Sequence, residues 1–96
     1  MLTGNQRSYL KGLANRINPI LQIGKKGITE NFVIQVDEAL EAREIIKIKV
    51  LDNNLLEPKE VANELCTLIN AEFVQSIGSK ITLYRESEEN KKIELP

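Results

Sequence analysis

The residues with chemistry to offer cluster at Gly24-Lys25-Lys26-Gly27, inside the stretch Ile20-Leu21-Gln22-Ile23-Gly24-Lys25-Lys26-Gly27-Ile28-Thr29-Glu30. A short apolar run leads into the two lysines, and Thr29 carries the kind of hydroxyl that caps a helix start. The pattern reads as strand, tight loop, helix. Two glycines allow positive φ and let a partner approach the backbone closely. A helix N-terminus presents unpaired N–H groups and a partial positive charge. With two mobile ammonium groups added, the stretch is a receiving platform for an anion, phosphate above all. The same residues also suit a plainer arrangement, in which Gly24 ends a strand, Gly27 precedes a cap and both lysines are solvated. The motif by itself supports the two equally. It is not a nucleotide phosphate loop, since Gly24 to Thr29 lacks the G-x-x-x-x-G-K-[ST] spacing and no G-x-G-x-x-G occurs.

Little else in the chain suggests catalysis. There is no histidine, which removes the commonest general base and the commonest transition-metal ligand. A single cysteine, Cys66, excludes an internal disulfide and an all-cysteine metal site. With no histidine to activate it, Cys66 reads as a core or near-core thiol. Glu38 and Glu41 share a helix face, as surface carboxylates commonly do. The expectation is therefore a protein that is not an enzyme, with no catalytic residues, no metal and no cofactor.

Charge is unevenly distributed. Residues 1–29 hold Arg7, Lys11, Arg16, Lys25 and Lys26 and no acid, whereas all 14 acids lie from Glu30 onward. A basic front on a chain of net charge -1 points to a polyanion-facing side, although five cations in such a segment also make an ordinary solvated face. At 42% hydrophobic and 28% charged residues, the composition is that of a folded domain and not a disordered chain. Its 96 residues suffice for one core. No apolar run approaches the ~18 residues of a membrane span, and Leu2-Thr3-Gly4-Asn5-Gln6 is polar where a signal peptide would turn apolar. A cytoplasmic location and a monomer are expected.

The elements that must position these residues follow from periodicity and caps. Thr3 with Gln6 makes a capping box, and Leu10, Leu13, Ala14 and Ile17 recur at helical spacing up to Asn18-Pro19. Ile20 to Ile23 is a strand. Thr29 opens a second helix with the stripe Phe32, Val33, Val36, Ala39 and Leu40, leaving Asp37, Glu38, Glu41 and Glu44 as an acidic outer surface. In a strand from Ile45 to Val50, Ile46, Ile48 and Val50 share one face; Lys47 and Lys49 lie on the other beside Ile45, solvated or in reach of a ligand. Leu51 to Leu56 is a loop. Pro58 begins a third helix, with Val61, Leu65, Leu68 and Ile69 as its buried stripe. Phe73 to Ile77 and Lys80 to Arg85 are strands joined by Gly78-Ser79, the signature of a type II′ hairpin. The tail from Glu86 reads as solvated, with Ile93 and Leu95 able to dock. The fold class is α/β in the order α-β-α-β-α-β-β, a mixed four-stranded sheet with the second and third helices on one face. Nothing in the order places the first helix.

The runs Leu10-Lys11-Gly12-Leu13-Ala14, Pro19 through Glu30, Ala39 through Val50, Gln75-Ser76-Ile77-Gly78, Leu83-Tyr84-Arg85 and Lys92-Ile93-Glu94-Leu95-Pro96 resemble the CRM domain (chloroplast RNA splicing and ribosome maturation). The resemblance spans nearly the whole chain, and its length is that of the bacterial stand-alone YhbY type. It implies one RNA-binding domain over residues 1–96, similar in fold to the C-terminal domain of translation initiation factor three. It further implies association with rRNA in precursors of the large ribosomal subunit, and so a part in ribosome assembly. The family's GxxG loop falls on Gly24, Lys25, Lys26 and Gly27, with Thr29 opening the helix behind it; its nearby basic surface maps onto Arg7, Lys11 and Arg16. The acidic balance of this chain departs from strongly basic relatives. KH domains also set a GxxG loop against nucleic-acid backbone, but there it joins two helices. A different reading is a protein-interaction module, with the acidic second helix against a basic ribosomal protein.

Overall fold

The computed structural model describes residues 2–51 and 57–96. They form α1 (Gly4–Ala14), β1 (Leu21–Ile23), α2 (Glu30–Arg43), β2 (Ile45–Val50), α3 (Pro58–Ile69), β3 (Glu72–Ile77) and β4 (Lys80–Tyr84). The order is the expected one, with strand ends displaced by single residues; most of the expected 51–56 loop lies outside the described residues. Local chemistry sets the boundaries. Thr3 and Gln6 exchange side chain-to-backbone hydrogen bonds at the start of α1, as a capping box requires. Thr29 Oγ1 accepts from the Phe32 N–H at the start of α2. Between β3 and β4, Gly78 takes φ +59, as the first central position of a type II′ turn demands.

The sheet order is β1-β2-β4-β3, with β1 parallel to β2 and β4 antiparallel to both of its neighbours. Alternation along β2 sorts the two faces. Ile46, Ile48 and Val50 join Ile23, Ile81 and Leu83 on one side, where Phe32, Val36 and Leu40 of α2 and Val61, Ala62, Leu65 and Ile69 of α3 are buried. Each such aliphatic side chain contributes about 1.5–3 kcal/mol, so this face carries most of the stability. Leu68 is not part of it: it lies on the flank of the α3 stripe, 56% exposed, and Ala62 takes its place.

The other face explains where α1 goes. Ile45 pairs with Tyr84 across the sheet, and with Val74 they make an apolar patch under Leu10 and Ala14 of α1. Farther along β2 the same face carries Lys47 opposite Thr82 and Lys49 opposite Lys80. Only one end of this face is apolar, and α1 covers that end. The lysine end stays open.

The tail keeps Glu86, Glu88, Glu89 and Asn90 exposed, as expected, but its backbone is held more firmly than a solvated segment requires. Glu44 follows α2 with φ +66 and is fully buried. Its carboxylate accepts the N–H groups of Ser87 at 2.7 Å, Lys92 at 2.6 Å and Ile93 at 2.7 Å. Glu41 accepts the Ser87 hydroxyl at 2.7 Å and the N–H groups of Glu88 and Glu89 at 3.1 Å. The polar segment that read as solvated is thus held by its backbone donors, and Ile93 and Leu95 pack beside α1. The acidic outer surface expected of α2 is reduced in the same step, with Asp37 and Glu38 still exposed. Asp37 pairs with Arg85 at 2.6 Å, Glu41 and Glu44 hold the tail, and Glu38 alone of the four has no partner among the described residues.

Candidate functional site

The segment Gly24–Gly27 is a turn closed by the Gly27 N–H on the Gly24 carbonyl at 2.9 Å. Lys25 and Lys26 occupy its two central positions, both exposed. Of its two glycines only Gly27 has a positive φ, +70; the backbone freedom expected of both belongs to one. At Gly24 a Cβ would meet only the side-chain end of Leu51, at 3.4 Å. Ile28 packs against the core and fixes the turn from below. The Thr29 hydroxyl is engaged by Phe32, while the N–H groups of Glu30 and Asn31, at the helix start, meet no acceptor among the described residues. Glu30 sits exposed in that first turn, a carboxylate that moderates the positive end of the helix.

This turn lies where β1 and β2 end and β4 begins. The Leu51 N–H donates to Ile23 O at 2.9 Å and the Val50 N–H to Ser79 O at 2.7 Å. In the row just behind it, Gln22 opposes Lys49 and Lys49 opposes Lys80, all three exposed. Lys25, Lys26, Lys49 and Lys80 therefore belong to one end of the sheet. Lys80 escaped sequence reasoning because the strand it pairs with is 31 residues away (|80−49|); a lysine opening a hairpin strand was the only signal.

The remaining predicted positions lie on other segments. Lys11 and Arg16 are exposed, Arg16 in the connection that enters β1 at the end remote from the turn. Arg7 is part-buried, and its Nη1 donates to the carbonyl of Phe73 and, at 3.3 Å, to that of Val74. These carbonyls stand at the register shift of β3 between Phe73 and Gln75, so Arg7 satisfies a break in the ladder. Phe32 and Tyr84 are buried and Phe73 packs on the core, which leaves Tyr9, 45% exposed, as the accessible aromatic. Burial, with help from Glu72, pushes the Cys66 thiol up to about 11, the opposite of what a nucleophile needs. Among the described residues no group of three or more His, Cys, Asp or Glu could hold a metal ion, and no helix is long and apolar enough to cross a membrane.

Fold and site together define a small mixed-sheet α/β domain with a glycine-flanked cationic turn between an edge strand and a capped helix. The chain belongs to the CRS1/YhbY (CRM) domain family, whose model matches residues 2–85. It is 48% identical over 96 residues to the Probable RNA-binding protein YqeI of Bacillus subtilis, covering 100% of both chains. It is 38% identical over 95 residues to an RNA-binding protein of Haemophilus influenzae, covering 99% of this chain and 95% of that one. The solution structure of SAV1595 from Staphylococcus aureus, there proposed to bind RNA, superimposes with a TM-score of 0.83 at 56% identity, over 100% of both chains.

Proposed function

We propose that this protein is a non-enzymatic, monomeric RNA-binding module of the cytoplasm that holds the phosphate backbone of rRNA in precursors of the large ribosomal subunit. One observation carries the reading. Lys25 and Lys26 stand exposed, without an ion-pair partner among the described residues, on a turn that leads into a helix start with open N–H groups. Backbone donors and a partial positive charge there suit a phosphate, and relatives across the full length of the chain bear the name RNA-binding protein. Gly24, Gly27 and Thr29 shape the turn and its helix. Lys11 and Arg16 extend the footprint, while Arg7 contributes field more than free donors. Phosphate contacts position an RNA without reading its sequence. With one exposed aromatic for stacking, recognition is of RNA shape. The large-subunit assignment follows the resemblance to stand-alone bacterial members of the family.

The test is the affinity of wild type and Lys25→Ala/Lys26→Ala for large-subunit rRNA fragments over a range of salt. Each phosphate contact adds about 0.7–0.9 to the slope of log affinity on log salt, so the double variant should lose about 1.4–1.8 of it. An unaltered slope would remove the turn from the interface. In lysate, co-sedimentation of the tagged protein with large-subunit precursors, abolished in the same variant, tests the assignment to assembly.

A further inference from the structure

Resting on that RNA-binding reading, we infer that a second site, a groove at the foot of β1 and β2, takes an unpaired nucleotide of the same RNA, base on its apolar floor and phosphate on its cationic rim. The groove encloses about 750 Å³ between the α1–β1 connection, the C-terminal end of α2, the start of β2 and the tail. That volume lies in the range of small-ligand pockets, about 300–1,000 Å³. Ile17 and the exposed Ile20 form its apolar floor, with the buried Ile45 and Ile46 behind them, and Arg43, Lys47, Lys92 and Asn18 its polar rim. No acid lines it, and none of the three cations has an ion-pair partner among the described residues. The exposed Ile20 offers apolar surface to a flat, weakly polar ring.

Three observations commit this groove to a nucleotide and not to an apolar peptide. The first is charge: three cations over an aliphatic floor fit a ligand that is anionic at one end and flat at the other. The second is continuity. Lys47 and Lys49 lie two residues apart on one face of β2, about 6.6 Å by strand geometry, a distance comparable to that between successive phosphates of one nucleic-acid strand. Lys80 lies opposite Lys49, and the Lys25–Lys26 turn follows at the end of β1, so cations mark successive positions along the sheet from the groove end to the turn end. The third is construction. The N–H groups of Lys92 and Ile93 are held by Glu44 Oε1 at 2.6 and 2.7 Å, and this fixes Lys92 at the rim. Asn18 supplies an amide able to pair with a base edge.

The test is a titration of the full chain, carrying ¹³C-labelled isoleucine methyls and ¹⁵N-labelled amides, with a short single-stranded oligoribonucleotide and with its abasic counterpart. A base in the groove should shift the Ile17 and Ile20 methyls by its ring current, and the abasic strand should not. Arg43→Glu/Lys92→Glu should weaken binding of the normal strand about tenfold, on the scale of lost charge-assisted hydrogen bonds, while the amides of the 24–29 turn still respond. Shifts confined to the turn, with groove methyls unmoved, would overturn the groove and leave the RNA-binding reading standing. Groove shifts without turn shifts would support the groove and remove the turn. No response at either site, with no affinity for rRNA fragments, would overturn both. Should the double variant fold poorly, Ile20→Gln, at an exposed position, tests the floor instead.

Discussion

The open lysine end of the sheet and the carboxylate-rich notch beside the tail make an instructive pair. Lys25, Lys26, Lys49 and Lys80 gather at one and are exposed. Asp37, Glu41, Glu86, Glu88 and Glu89 surround Arg85 at the other, in a cavity of about 580 Å³. Each is a concentration of like charge, yet the four cations have no ion-pair partner among the described residues, while Asp37 and Glu41 are engaged within the fold. Asp37 meets Arg85; Glu41 and the neighbouring Glu44 cap stretches of tail backbone. A charge cluster read from sequence is a surface only where the fold provides no counterpart. That distinction narrows the acidic surface of α2 to the exposed Asp37 and Glu38.

The comparison can be broken most forcefully at Glu44. Glu44→Ala strips three tail N–H groups of their acceptor and should destabilise the protein by about 3 kcal/mol, read as a shift in the urea unfolding midpoint at unchanged m-value. Glu38→Ala, on the same helix, should change stability by less than about 0.5 kcal/mol. Equal losses would mean that α2 acids are interchangeable and the tail latch is fictitious.

Acid sharpens the same point. Three backbone donors hold the Glu44 carboxyl below its ordinary 4.5 although burial, the largest single influence, pushes it up. The Ser87 hydroxyl, then the Glu88 and Glu89 N–H groups, lower that of Glu41. Carboxyls depressed in the folded state stabilise it fully above their unfolded value and lose that contribution as pH falls through the folded value. The stability gap between wild type and Glu41→Gln/Glu44→Gln should therefore be widest at neutral pH and shrink as pH falls below the ordinary carboxylate range and through the lowered folded-state values. A gap independent of pH would show that charge plays no part in the latch.

At the lysine end the expected pattern is reversed. Lys25→Ala/Lys26→Ala should leave stability within about 0.5 kcal/mol of wild type while weakening RNA binding, since these exposed side chains have no ion-pair partner among the described residues. Gly27→Ala should cost about 1 kcal/mol because of its left-handed backbone, measurable by thermal unfolding. Gly24→Ala should cost less, its new methyl meeting only the flexible end of Leu51. The smallest effect concerns Cys66, whose thiol, raised to about 11, should react with a thiol reagent at neutral pH far more slowly in the folded protein than after unfolding.

How much was legible in the chain follows from the range of each interaction. The Thr3–Gln6 box, the Thr29 cap and the Gly78 turn involve neighbours within a few residues, and they were read correctly. The glycine-flanked turn was likewise visible, though not that one glycine alone needs its backbone freedom. The groove was invisible, since its lining comes from three separate stretches of chain.

The elements, their order, the buried face of α2 and most of that of α3, and two lysines set between a strand and a helix start can all be read from the chain. Periodicity, caps and turn chemistry act over one or two turns of chain, so they are written locally. Only the tertiary structure decided that α1 crosses to the far face, that Arg7 closes a break in β3, that the tail is latched to Glu41 and Glu44, and that Lys80 joins Lys49. Those outcomes depend on partners 31 or more residues apart, and a buried hydrogen-bonding group or an apolar patch accepts whichever distant segment fits it.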